Sequence, residues 1–429
     1  MEKKKVVLIN PPQLNSLDDH LDPPLGLMYL ASSLEAQGEE VSICDLSSKS
    51  ESEWPPLIPR ADVYGITLFS ASFLAAQKIS GLVKKINKDA VLVAGGPHAT
   101  SLPQETLEGG FDHVIVGEGE VEFPNLVKRI SNNETSPSII HAAPIQDLDS
   151  LPFPARYLVD ILGFNRNVEG ESATSIITSR GCPYSCNFCC KDVHGSKVRF
   201  RSADSVIEEV HEVIDTYGIK SFLFYDDVFT FPKGNRLKKL CEGIKQLGIT
   251  FRCNGRVGVN SLEDYQLLKE AGCMEIAFGI ESGSQVILDK MNKGTTVEMN
   301  LNAIRNAKQA GLITKAYLIT GFPGETQETI DETKRFVEIS GVDKFTVSAF
   351  VPLPGCDVWK NPLKYGIQTI SKDWDQHFNL AGNYEGGSTF TTKDLSSNEF
   401  QRLHDDLVDN LLEHGQKGKI EKYYEKLER

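Results

Sequence analysis

Short apolar runs rich in β-branched residues alternate with longer amphipathic stretches along most of the chain. In the first third the runs are Val6–Ile9, Val41–Cys44, Val63–Thr67, Val91–Ala94 and His113–Val116. Between them, segments such as Gly26–Gln37 and Phe73–Asn87 carry apolar residues at helical spacing. Continuous apolar strands separated by helices predict a parallel sheet covered on both faces. Five such strands predict a Rossmann-like, doubly wound α/β domain over residues 1–140. Ligands of such sheets bind beyond the carboxyl ends of the strands. Here those ends lead into Asn10–Pro12, Asp45–Ser48, Leu68–Ser72, Gly95–Thr100 and Gly117–Glu120.

The pattern lapses after Ser131. A polar stretch to Pro137 is followed by Pro144, Pro152 and Pro154, which predicts a wrapping linker over residues 141–170. A second alternation starts at Ala173, with strands predicted at Thr174–Thr178, Ser221–Tyr225, Thr250–Asn254, Met274–Phe278, Lys315–Thr320 and Lys344–Phe350. Six strand–helix units without return hairpins predict a partial (β/α)6 barrel over residues 171–360, with its chemistry at the strand C-termini. Residues 361–429 are polar and mostly helical, with a helix predicted from Ser397 to Leu412.

Composition narrows the partners. A chain of 429 residues fits two or three domains. Its net charge of -14 argues against a nucleic-acid backbone as ligand, since phosphate binding needs clustered Lys and Arg. No apolar run reaches the ~18–20 residues of a membrane span, and Met1–Asn10 lacks the core of a signal peptide. The chain reads as a soluble cytoplasmic protein. It has nine cysteines, four of them between residues 182 and 190. That crowding suits a metal site in a reducing compartment better than a disulfide framework.

The four lie in Arg180-Gly181-Cys182-Pro183-Tyr184-Ser185-Cys186-Asn187-Phe188-Cys189-Cys190, directly after the first predicted barrel strand. In C-x3-C-x2-C, the thiolates of Cys182, Cys186 and Cys189 can ligate three irons of a [4Fe-4S] cluster and leave the fourth open. A structural zinc site is the competing reading, but zinc wants four donors, and Cys190 stands directly beside Cys189. Tyr225, Arg256, Cys253 and Cys356 fall near predicted strand ends. Tyr225, Arg256 and Cys356 are weak catalytic candidates, with Arg256 able to hold a carboxylate.

The cysteine motif and the later segments Tyr225-Asp226-Asp227, Phe278-Gly279-Ile280-Glu281-Ser282-Gly283, Asn292-Lys293-Gly294 and Ile319-Thr320-Gly321-Phe322-Pro323-Gly324-Glu325 resemble the radical S-adenosylmethionine (SAM) superfamily. The resemblance implies that SAM is bound by Phe188 beside the adenine, by Asp226 or Asp227, by Glu281 and Ser282, by Lys293 at the carboxylate, and by Ile319 and Gly321 as an adenine shelf. The first domain resembles the cobalamin-binding domain found ahead of many such barrels. That likeness rests on Asn10-Pro11-Pro12, on Pro24–Ala31, on Gly95-Gly96-Pro97-His98-Ala99-Thr100 and on Gly117-Glu118-Gly119-Glu120. It implies cobalamin contacts from Leu68, Phe69, Ser70, Gly95, Gly96, Pro97, His98, Gly117, Glu118 and Gly119. The D-x-H-x-x-G motif of domains that supply a histidine to cobalt is absent, since Asp112-His113 has the wrong spacing. Cobalamin is therefore expected without a histidine ligand, its lower face kept dry by Leu68 or Phe69.

The activity implied is methyl transfer from methylcobalamin to an unactivated carbon, after a 5′-deoxyadenosyl radical has taken its hydrogen. A cyclase or ring-rearranging enzyme is the alternative. The expected partners are a small-molecule or peptide substrate and an electron donor such as flavodoxin or ferredoxin, with neither nucleic acid nor membrane.

Overall fold

The structure is a computed structural model that describes residues 4–377, 388–393 and 396–413, apart from 14, 15 and 17. The described residues form two compact units. The first comprises residues 4–166, 190–200 and 373–377, the second residues 167–189, 201–372, 388–393 and 396–413.

The first unit holds one parallel sheet: β1 (Lys5–Asn10), β2 (Glu40–Asp45), β3 (Val63–Thr67), β4 (Val91–Gly95), β5 (His113–Val116) and β6 (Ile139–His141), in the order β2-β1-β3-β4-β5-β6. Val6, Val7, Leu8 and Ile9 have no exposed surface, so β1 is covered on both faces as its unbroken apolar run requires. The strand order reverses between β1 and β3, which places the switch-point crevice beside the loops that follow these strands. The pattern did not reveal β6. Its three residues pair in parallel with β5, and so short a run inside a polar, proline-bearing stretch gives no periodic signal.

The expected linker folds mainly with this unit. Ala155 N–H donates to Met28 O at 3.1 Å, and Arg166 pairs with Asp22. Cys190–Phe200 joins it too, held by Arg199, whose guanidinium grips the buried Glu118 carboxylate through two 2.7 Å bonds. The segment 373–377 joins through Trp374, which donates to Glu105 at 2.8 Å. Neither attachment has a local sequence signature.

The second unit opens on a hairpin of β7 (Asn167–Val168) and β8 (Glu171–Ile176). β9 (Ser221–Phe224), β10 (Thr250–Gly255), β11 (Cys273–Glu281), β12 (Ile313–Thr320) and β13 (Lys344–Ala349) follow in parallel, in sequential order across a curled half-barrel. Period-two burial defines its two faces. Phe251, Ile276, Phe278, Ala316, Leu318 and Val347 are buried, whereas Arg252, Asn254, Lys315, Tyr317, Thr346 and Ser348 are only half-buried on the concave side. The helix Ser397–Glu413 packs on the end of β12, where His404 Nδ1 lies 2.7 Å from Thr320 Oγ1. Among the described residues no helix is long and apolar enough to cross a membrane.

Candidate functional site

The cysteine loop follows β8 and is sewn to the turn at residues 290–292. Asn187 N–H donates to Met291 O at 3.0 Å. Its side chain donates to Lys290 O at 2.8 Å, and Asn292 Nδ2 returns a bond to Ser185 O at 2.7 Å. These amides hold the thiol-bearing backbone from both sides of Cys186. The motif alone gave no hint of them, because their partners lie about a hundred residues away.

Cys186 is buried, Cys182 partly so, and Cys189 is exposed. A hydrogen bond from Cys189, then the charges of Lys293 and Arg256, draw the Cys186 thiol down to about 5 against the opposing effect of burial. The thiolate is the form that ligates iron. Arg256 Nη1 stands 3.8 Å from Cys186 Sγ, its other arm donates to Lys293 O, and its guanidinium lies 3.7 Å from the centre of the Tyr184 ring. Arg256 thus faces a cysteine sulfur rather than an open carboxylate site. Cys190 points elsewhere, 3.6 Å from Ser101 Oγ in the first unit. Three thiols on one loop, with a fourth position lacking a cysteine, fit a [4Fe-4S] cluster with one open iron.

The SAM-side residues converge in part. Lys293 Nζ lies 2.5 Å from Glu281 Oε1, both side chains buried, and 5.6 Å from the centre of the Phe188 ring. Glu281 has a backbone φ of +66°, and the β11–β12 register slips between Gly279 and Glu281. A bulge of this kind re-aims a side chain, and here it turns Glu281 to Lys293. Lys293 is therefore a buried ion-pair partner, not a solvated loop lysine. Phe188 and Ile319 pack against one apolar cluster. Gly321 has φ +77°, and a Cβ on it would meet the Phe400 ring at 1.7 Å, so the C-terminal helix, rather than a ligand, requires glycine there. Ser282 Oγ bonds Thr333 Oγ1 at 3.2 Å and caps Ser284 N–H at 3.1 Å.

The two aspartates part company. Asp226 is fully buried and accepts from Thr178 N–H at 3.0 Å, from Thr178 Oγ1 at 3.1 Å and from Ser179 Oγ at 2.5 Å. Arg236 in turn donates to Thr178 Oγ1 at 2.8 Å. Asp226 is therefore an anchor for the segment entering the cysteine loop, and Asp227, exposed beside it, is the carboxylate a ligand can reach. Tyr225 is half-exposed at the same strand end. Cys356 is wholly buried, and its Sγ accepts from Trp359 N–H at 3.3 Å. It caps a short helix and lies in the apolar cluster against which Phe188 and Ile319 pack.

On the first unit, several expected cobalamin contacts are engaged internally. Leu68 has no exposed surface, its N–H donating to Gly95 O at 2.8 Å, whereas Phe69 is 45% exposed. Of the two, Phe69 is the residue that can cover a ligand. His98 is buried, lies 3.1 Å from Ser70 Oγ and packs on Phe73 and Trp374. Glu118 also receives His194 at 2.8 Å and Ile145 N–H at 2.8 Å, so its carboxylate serves the fold. A Cβ on Gly96 would meet Leu68 backbone at 3.0 Å, and Cβ atoms on Gly117 and Gly119 would meet Ala142 and Leu30 at 3.2 and 3.0 Å. Those glycines answer to neighbouring chain. Gly95, with nothing nearer than 4.0 Å, leaves room beside its backbone. Phe69, Gly95 and the half-buried Pro97 are the residues of this set best placed to hold a flat ligand.

Comparison with known proteins bears on both units. A Radical SAM superfamily model matches residues 176–337, and a B12-binding domain model matches residues 20–127. An uncharacterized methyltransferase of Pyrococcus horikoshii is 32% identical over 404 residues, spanning 88% of this chain and 87% of its own. The chain belongs to the radical SAM superfamily. Within it, this is a radical SAM protein with a B12-binding domain. An anaerobic magnesium-protoporphyrin IX monomethyl ester cyclase of Rubrivivax gelatinosus is 27% identical over 79% of this chain and 66% of its own. The radical SAM fold here is similar to that of the methyltransferase TsrM of Kitasatospora setae, solved with cobalamin and a [4Fe-4S] cluster bound. The TM-score is 0.69 at 20% identity, covering 86% of this chain and 76% of that one.

Proposed function

We propose that this protein is a cobalamin-dependent radical SAM C-methyltransferase that places a methyl group on an unactivated carbon of a small molecule. The supporting observation is the succession of B12-binding and Radical SAM models in one chain, whose 32%-identical relative is named a methyltransferase. When bound, the cluster and SAM supply a hydrogen-abstracting radical, and cobalamin supplies the methyl group. Cys182, Cys186 and Cys189 hold the cluster. Phe188, Asp227, Ile319 and the Glu281–Lys293 pair line the SAM side, and Phe69, Gly95 and Pro97 line the cobalamin side.

A fold that carries both cofactors suits a carbon whose C–H bond is too strong for general-base removal. Anaerobic turnover is expected to give 5′-deoxyadenosine and S-adenosylhomocysteine in about equal amounts, because the two-cofactor scheme spends one SAM on each task. With methyl-deuterated SAM the product keeps the intact CD3 group. Deoxyadenosine without S-adenosylhomocysteine, and no gain of methyl mass, rejects methylation and favours a cyclase, the reading that the Rubrivivax relative supports.

A further inference from the structure

The Cys190–Phe200 segment crosses the ligand edge of the first unit, and its contacts there fall beside two of the loops expected to meet cobalamin. Ser101 ends the short helix Pro97–Ser101, which leaves Gly95-Gly96. Its hydroxyl donates to Asp192 Oδ2 at 3.2 Å. The same helix is tied to the loop after β5, where Gly117 N–H donates to Thr100 Oγ1 at 3.1 Å. The next residue, Glu118, receives His194 Nδ1 at 2.8 Å. Between Asp192 and His194 the chain turns tightly: Gly195, at φ +72°, donates its N–H to Lys191 O at 2.8 Å. One turn thus delivers both side chains to the sheet edge.

Glu118 does not need His194 for neutralisation. Arg199 already grips it through two 2.7 Å bonds, and Ile145 N–H adds a third at 2.8 Å. The consequence of the bond lies with the histidine. A carboxylate only accepts, so Nδ1 carries the ring proton and Nε2 is left as an acceptor. A carboxylate behind an imidazole fixes its tautomer and its orientation. Arg199 Nη2 also donates to His194 O at 3.0 Å, so main chain and ring are both held. The Glu118 side chain is 1% exposed and that of His194 39%, so the ring leads from a buried partner out to the surface of the ligand edge. Its Nε2 has no hydrogen-bond partner among the described residues.

We infer that His194 is a cobalamin-binding residue whose Nε2 accepts a hydrogen bond from the cofactor, given by a corrin side-chain amide or by a ribose hydroxyl of the nucleotide tail. Phe69, Gly95 and Pro97 offer apolar surface and bare backbone but no side-chain acceptor, and the Glu118 carboxylate is taken up by Arg199. His194 supplies the acceptor from outside residues 20–127, the stretch matched by the B12-binding model. The inference rests on the reading of the first unit as a B12-binding domain.

The test titrates the full-length protein with hydroxocobalamin, followed by absorbance and tryptophan fluorescence. His194→Asn keeps a donor for Glu118 and removes the outer acceptor, whereas His194→Gln reaches toward the Nε2 position. The Asn variant is expected to bind cobalamin about fivefold more weakly, the worth of one hydrogen bond, with an unchanged melt of the apo-protein. The Gln variant recovers part of that loss. Aquocobinamide has the corrin amides without the nucleotide tail. A loss that persists with it assigns the contact to an amide, and a loss confined to cobalamin assigns it to the tail; both support the contact. In the parent protein, bound cobalamin is expected to protect His194 from diethyl pyrocarbonate, read by peptide mass spectrometry, a measurement that does not depend on either variant folding. An Asn variant that binds both corrinoids as tightly as the parent, or a His194 modified equally with and without cobalamin, overturns the contact. A parent that takes up neither corrinoid overturns the B12-binding reading along with it.

Discussion

Arg256 shows how little a side chain's type says about its use. From the sequence it is a carboxylate clamp near a strand end. In the fold its guanidinium is stacked on Tyr184, tied to Lys293 O and turned to Cys186 Sγ at 3.8 Å. Hydrogen bonds and positive charge beside a cluster sulfur favour the reduced cluster. Arg256→Gln is therefore expected to lower the midpoint potential of the reconstituted cluster by tens of millivolts, since about 1 kcal/mol of lost hydrogen bonding corresponds to roughly 40 mV for one electron. Redox titration followed by electron paramagnetic resonance measures it, and Arg256→Lys recovers part of the shift. An unchanged potential in both variants assigns Arg256 a packing role only.

At the scale of elements, the turn after β12 is the most informative. Gly321 N–H donates to the Glu325 carboxyl, and burial pushes that group up to about 8 from its ordinary 4.5. A carboxyl raised by folding contributes its full stability below the unfolded pKa, and loses it as pH rises through the folded one. This contribution should fade between about pH 4.5 and 8. Glu325→Gln keeps an acceptor for Gly321 and removes the charge. Its melting temperature is expected to exceed the parent's by several degrees at pH 8 and to match it near pH 4.5. An offset that is the same at both pH values places the effect outside this ionisation. The helix Ser397–Glu413 completes the same region, with Phe400 against Gly321 and His404 on Thr320. Its amphipathic pattern announced a helix but not its docking place, because periodicity names a buried face and not what buries it.

For the whole molecule, domain boundaries drawn along the sequence mislead. Glu118 is buried under Arg199, 81 residues on, so the first unit cannot be cut out at residue 140. A 1–140 fragment keeps the Glu118 carboxylate but loses Arg199, His194, the Ile145 N–H and the last residue of β6. An uncompensated buried charge costs about 3–5 kcal/mol, a large part of a domain's stability. The fragment is expected to lack a cooperative melt in circular dichroism. In the full chain, Arg199→Met should lose a comparable part of the first unit's stability in denaturant unfolding. A 1–140 fragment that melts cooperatively would show that the Arg199–Glu118 pair is dispensable.

The sequence by itself determined the α/β class, most strand and helix positions and the three cysteines of the loop. These are local quantities: apolar period, cap residues and the spacing of thiols within one turn of chain. It also narrowed the acidic candidates after β9 to Asp226 and Asp227. Only the tertiary structure separated them, by burying one among Thr178 and Ser179 and leaving the other exposed. The same holds for Leu68 and Phe69, for the pairing of Lys293 with Glu281, and for the return of Cys190–Phe200 to the first unit. Each depends on which distant residue arrives beside a side chain. Burial, charge pairing and hydrogen bonding are set by that arrival, and no local pattern encodes it.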